Sequence, residues 1–239
     1  MFATPRLGSV AIAAAAIGFL AAGTAKATVL LPPSVAGDTL TFQFTSDHCS
    51  GTGKCLANQT NGGSVLVTDL GSGNLEFNIS LANGNQFVNT GFDASFGFNL
   101  KNINQVTYSN ITPSAKFTIP GSIDPKQNVA TLHMDGTGNF DFGLEGAGTG
   151  GGHPDGSSLV FDIAATGLDL TDLEQNTSGQ FFAADIISGT TAHTGGIDVS
   201  NSGTPGHTGV NNIGVPEPAS MLLLGASLIG LGAVRRSRR

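Results

Sequence analysis

The chain has no tryptophan and one tyrosine, Tyr108, among its 239 residues, so the aromatic surfaces on which sugar rings are usually stacked are scarce. Arginine is missing between Thr28 and Gly214, where the basic residues are Lys54, Lys101, Lys116 and Lys126. Against them stand 16 acidic residues, a formal charge of −12 for that stretch, which the whole-chain value of −7 conceals. A body this acidic is excluded as a nucleic-acid binder, because such binding draws most of its affinity from phosphate neutralisation. It suits a soluble extracellular protein kept dispersed by its own charge. Local catalytic signatures are also missing. His48, His133, His153, His193 and His207 are scattered, with no HExxH, no GxSxG and no histidine pair at ligand spacing. No catalytic residue and no metal ligand set is assigned from sequence.

What the chain has in abundance is glycine, asparagine, threonine and serine, with phenylalanines spaced two apart. Leu40, Phe42 and Phe44 alternate with polar residues, as do Leu75, Phe77, Ile79 and Leu81. That is the period of a strand with one face on a core. Further runs at 64–70, 92–100, 105–109, 116–119, 129–134, 140–144, 157–164 and 181–187 are separated by turn-forming residues at intervals of about 8 to 15. The expected fold is all-β: one antiparallel β-sandwich of jelly-roll type, residues 28–194. Phe92, Ala94, Phe96, Phe98 and Leu100 make the clearest one-sided stripe, read as core rather than as an aromatic ligand platform. One short helix is expected, capped by Thr171 and Glu174 in a capping box. Residues 195–214 have the composition of a flexible linker.

Cys49 and Cys55 enclose five residues, two of them glycine. In an exported protein an even cysteine count favours a disulfide, and the short loop can bring the Cα atoms to the required separation of about 5.5 Å. A metal site with His48 is the competing reading, with an incomplete ligand set. Gly146-Ala147-Gly148-Thr149-Gly150-Gly151 satisfies GxGxxG, but Gly152-His153-Pro154-Asp155-Gly156 cannot open the helix a dinucleotide site needs. The run from Asp135 to Asp141 begins like a calcium loop yet has Phe140 at the sixth place and Gly146 at the twelfth. Asp135-Gly136 reads more simply as a hairpin turn. No cofactor is expected, calcium on an acidic loop being the weak exception.

Both ends carry a different chemistry. Near the start, Arg6 precedes an apolar run from Val10 to Ala22, and Ala25-Lys26-Ala27 fits the small-x-small rule for signal peptidase, giving a signal peptide over residues 1–27 rather than a first transmembrane helix. Residues 215–239 read VPEPASMLLLGASLIGLGAVRRSRR. A Pro216-Glu217-Pro218 punctuation is followed by a chargeless run, 219–234, and by Arg235, Arg236, Arg238 and Arg239. At about 1.5 Å per residue that run covers roughly 24 Å, a short membrane helix. The clustered arginines hold its far end on the cytoplasmic side.

This order of parts resembles the PEP-CTERM sorting domain of exported proteins in Gram-negative bacteria, a plain C-terminal anchor being the alternative. The resemblance covers about 25 residues. It implies recognition of Pro216, Glu217 and Pro218 by an exosortase-like membrane enzyme. It also implies passage along the periplasmic side of the inner membrane, then a cell-surface or extracellular fate in an exopolysaccharide or biofilm matrix. Expected partners are signal peptidase, the exosortase-like enzyme, the membrane through the C-terminal helix, and exopolysaccharide. The working expectation is a non-enzymatic structural or adhesive protein. The alternatives are a secreted carbohydrate-active or other hydrolytic enzyme of jelly-roll type, and a calcium-dependent binding module.

Overall fold

The computed structural model describes residues 34–49, 54–56, 61–90, 93–120, 131–134, 136–199 and 206–207. They all belong to one compact unit, Val29–Glu217. In chain order the strands are β1 Thr39–Gln43, β2 Ser46–Asp47, β3 Gly63–Gly71, β4 Asn74–Leu81, β5 Gln86–Phe87, β6 Phe96–Leu100, β7 Thr107–Thr112 and β8 Phe117–Thr118. They continue with β9 Leu132–Met134, β10 Gly138–Phe140, β11 Phe142–Gly146, β12 Ser158–Ala164, β13 Leu173–Glu174, β14 Phe182–Ile187, β15 Thr194–Asp198 and β16 Gly206–His207. Every ladder between these strands is antiparallel.

One sheet runs β16-β1-β3-β4-β12-β7 and the other follows the path β2-β15-β14-β6-β11-β8, with β13 and β5 paired to β6 and β14. Their inner faces meet on the phenylalanines that the period-2 pattern singles out. Phe77 lies 4.9 Å from Phe161 in its own sheet and 4.9 Å from Phe98 in the other, while Phe42 lies 4.8 Å from Phe182. These rings are buried, and their stacked, tilted and edge-on pairings add to the transfer of apolar area out of water.

The second sheet departs from simple alternation. All five residues of β6 are buried, although Phe96, Phe98 and Leu100 are the ones that join the sandwich core. The outer face is covered by the β9–β10 hairpin, whose Met134 and Phe140 cluster with Ala183 of β14, while Leu132 clusters with Ala94. Small residues make this possible. Gly143, Gly97 and Ala183 stand side by side across three strands. A Cβ on Gly97 would come within 2.7 Å of Met134 Sδ, and one on Gly143 within 2.8 Å of Leu132 Cδ1. Both faces of this part of the sheet are therefore covered, because a third layer occupies the outer face.

Three other expectations need correction. The run read as one strand at 140–144 breaks at Asp141, whose N–H is taken by Asn99 Oδ1 at 2.7 Å, so β10 pairs with β9 and β11 joins the large sheet. The helix is a single 3-10 turn, Leu170–Asp172, capped by Asp169 and Asp172 rather than Thr171 and Glu174. Asp169 Oδ1 accepts the Thr171 N–H at 2.7 Å, and a carboxylate at that position outcompetes the threonine hydroxyl. Finally, the stretch assigned to linker from Gly195 begins as strand β15, with Ile197 and Asp198 fully buried, and returns as β16 on the edge of β1.

Candidate functional site

Cys49 and Cys55 are joined in a disulfide with a Cα separation of 5.6 Å. Asp47 explains the local shape: its Oδ1 accepts the Cys49 N–H at 3.0 Å and its Oδ2 accepts the Leu56 N–H at 2.7 Å. Among the described residues Asp47, Cys49 and Cys55 form the grouping close enough to hold a metal, but both sulfurs are engaged with each other and the carboxylate with backbone. The bridged loop straps the β14–β15 turn. Ser188 Oγ donates to the Cys55 carbonyl at 2.6 Å, Thr191 Oγ1 donates to the Lys54 carbonyl at 3.3 Å, and Gly195 lets Cys49 lie directly on β15. Changing both cysteines to serine is expected to cost about 2 kcal/mol, less than the roughly 3 kcal/mol of a 15-residue loop. Thermal unfolding with and without reductant measures this, and a melting temperature that reductant leaves unmoved would contradict it.

Beside this loop lies a polar pair that local sequence does not announce, its members 150 positions apart. Asp198 of β15 has a fully buried side chain, and His48, 30% exposed, brings Nε2 to 2.6 Å from its Oδ2. Ser46 Oγ stands 3.2 Å from the same Nε2. A serine, a histidine and an aspartate in contact suggest nucleophilic catalysis, but a relay needs the serine and the carboxylate on opposite ring nitrogens. Here both meet Nε2, so a proton held toward Asp198 leaves no acceptor for the serine hydroxyl. The arrangement is a buried polar anchor for the edge strand β2.

Burial pushes the Asp198 carboxyl above the usual carboxylate range; His48 and the hydrogen bonds of Ser46 and Gln180 pull it back in part. Burial likewise raises Asp141, Asp155 and Asp172. A carboxyl whose folded pKa exceeds its unfolded value favours the folded state when protonated. The contribution is complete below about pH 3.9 and declines as pH rises through the folded pKa. Stability should accordingly fall as pH climbs from about 4, and Asp198→Asn should show a shallower fall. Denaturant titrations across that range decide; equal slopes in the two proteins would remove Asp198 from the account.

The glycine-rich stretch at 146–156 is ordered by its own contacts and holds no nucleotide-type turn. Gly148 N–H reaches Asp155 Oδ1 at 3.2 Å, and Asp155, itself buried, has Lys116 Nζ at 3.9 Å. Of the calcium-like run, Asp135 lies outside the described residues, and Asn139 Oδ1 is engaged with His133 Nδ1 at 3.0 Å.

The signal cleavage residues Ala25 and Ala27, the motif Pro216, Glu217 and Pro218, the apolar run 219–234, the terminal arginines and Phe92 also lie outside the described residues. Among the described residues no helix is long and apolar enough to cross a membrane. No curated protein and no solved structure matches the chain. A family model does match its C-terminal segment: the PEP-CTERM protein-sorting motif, over residues 214–239. The match takes in Pro216, Glu217 and Pro218, the chargeless run and the arginines together. The chain therefore carries a PEP-CTERM sorting motif at residues 214–239, and with it the mark of an exported protein sorted by an exosortase-like system to the cell surface or beyond.

Proposed function

We propose that the antiparallel β body is a non-enzymatic structural or adhesive component of an extracellular polysaccharide or biofilm matrix. In this reading signal peptidase cuts after Ala27 and the 219–234 run holds the chain transiently in the inner membrane. An exosortase-like enzyme then processes it at or near Pro216-Glu217-Pro218. The observation that carries the reading is the sorting motif, joined to an acidic, arginine-free body. Three of the acidic side chains support it, since Asp47, Asp155 and Asp169 each hold the backbone of a loop or turn. A jelly-roll connection of the strands belongs to the same proposal.

The test is the intact mass of the protein recovered from its own host, with membrane and supernatant fractions kept apart. A species beginning at Thr28, ending near Glu217 and found outside the membrane is expected. A sole species that keeps Arg239 and stays in the membrane would overturn the processing route.

A further inference from the structure

The described residues include Lys54, Lys101 and Lys116, and among them Lys116 is the lysine that stands within ion-pair reach of a carboxylate. Its Nζ lies 3.9 Å from Asp155 Oδ1. The Asp155 side chain is wholly buried, whereas that of Lys116 is 49% exposed. Both main chains are pinned. The Lys116 N–H donates to the Pro113 carbonyl at 3.0 Å, and the Lys116 carbonyl accepts the Ala147 N–H at 2.8 Å. The Asp155 N–H donates to the Phe87 carbonyl at 2.9 Å. Two fixed points far apart in sequence thus send an amine and a carboxyl toward each other.

The carboxyl is thinly supported for a group so buried. The Gly148 N–H lies 3.2 Å from Oδ1 and 3.4 Å from Oδ2, one donor shared between two oxygens. The Lys116 ammonium stands beyond hydrogen-bond distance. Glycine makes the seat, because a Cβ on Gly146 would collide with Asp155 Oδ2. Burying a carboxylate on such terms is costly. Burial pushes its pKa above the usual carboxylate range, and the Gly148 N–H and Lys116 pull it back in part. An amide in the same place carries no charge and still offers Gly148 a carbonyl oxygen.

We propose that Lys116 and Asp155 condense into an internal isopeptide bond, a covalent link between the residue before β8 and the turn that leads into β12. Lys116 Nζ attacks Asp155 Cγ, the Nζ–Cγ bond forms, and the bond from Cγ to one carboxyl oxygen breaks. The ammonium gives up two protons, and both leave with that oxygen as one water. The step needs no oxidant, reductant or other reactant. Holding the pair together replaces a bimolecular encounter, which makes an unactivated carboxyl reactive. The Gly148 N–H stands where negative charge builds on the carboxyl oxygens during attack. The half-exposed lysine side chain leaves the amine free to close the remaining distance. Once joined, Asp155 no longer titrates, and the short edge strand β8 and the glycine-rich loop are tied to each other covalently.

The test is the intact mass of the full chain, purified in mild detergent, then reduced and denatured before measurement. The wild-type protein should be lighter by one water than the sequence of the species recovered. A protease digest should contain a branched peptide that joins Lys116 to Asp155. Lys116→Arg keeps a cation beside the carboxyl and should show its full sequence mass. Asp155→Asn should shed ammonia in place of water and arrive at the same final mass as wild type, since the product is the same amide. A wild-type chain at full sequence mass would overturn the proposal. A missing water that persists in Lys116→Arg would overturn it too, because that loss belongs to an aspartate closing on the following backbone nitrogen, as at Asp155-Gly156, and not to the lysine.

Discussion

Replacing Phe98 with alanine is expected to remove about 3–5 kcal/mol of stability, enough to leave a domain of ordinary stability largely unfolded at elevated temperature. Phe98 is fully buried at the centre of the sandwich. Its ring lies 4.9 Å from Phe77 across the interface, 5.5 Å from Phe142 on the neighbouring strand and 5.9 Å from Phe161. The surrounding rings are fixed by two sheets and cannot collapse into the space, so a cavity adds to the lost transfer energy. At about 2–4 °C per kcal/mol for a domain of this size, the melting temperature should drop by roughly 6–20 °C. Phe98→Leu should recover most of that, because it returns volume and apolar area. A drop of only a few degrees for the alanine variant would mean that the two sheets are not held together through this ring.

The second large effect concerns delivery. Glu217 is the sole acidic residue in 215–239, set between two prolines whose rings fix the local backbone. Glu217→Ala is expected to leave the full-length protein in the membrane fraction, and Glu217→Gln tells whether charge or shape is recognised. Immunoblots of membrane and supernatant fractions give the answer. Release of the alanine variant at the wild-type rate would show that sorting does not read this carboxylate. Neither change touches the described body, so its melting behaviour should match wild type.

What could be read from the chain depended on whether the signal was local. The sorting motif is a linear code, legible as 25 consecutive residues, and the period-2 strands around Leu40–Phe44 and Leu75–Leu81 were legible for the same reason. The disulfide partners, six positions apart, were within reach of a spacing argument. Strand β15 was not. Gly195 and Gly196 look like linker, and the approach of Cys49 explains why glycine is needed at 195. The third layer was hidden in the same way, since Gly97 and Gly143 interrupt the hydrophobic pattern because Met134 and Leu132 fill the space above them. His48 and Asp198 could not be paired from sequence at all, because the register between β2 and β15 is a property of the finished sheet. The misplaced helix cap was a nearer miss, with Asp169 two positions before Thr171 offering a stronger acceptor.

The return of the chain to its first strand has a mechanical side. Tension entering from the C-terminal direction reaches β16 first, and there it meets two residues paired with Leu40 and Thr41. Only afterwards does it reach β15, which is laced to β14 through five residues and clamped by the disulfide loop. The two-residue pairing has fewer ladder contacts to break than the five-residue one. A pull from that end is met at β16, on the edge of β1, before it loads the longer ladder of β15 and β14.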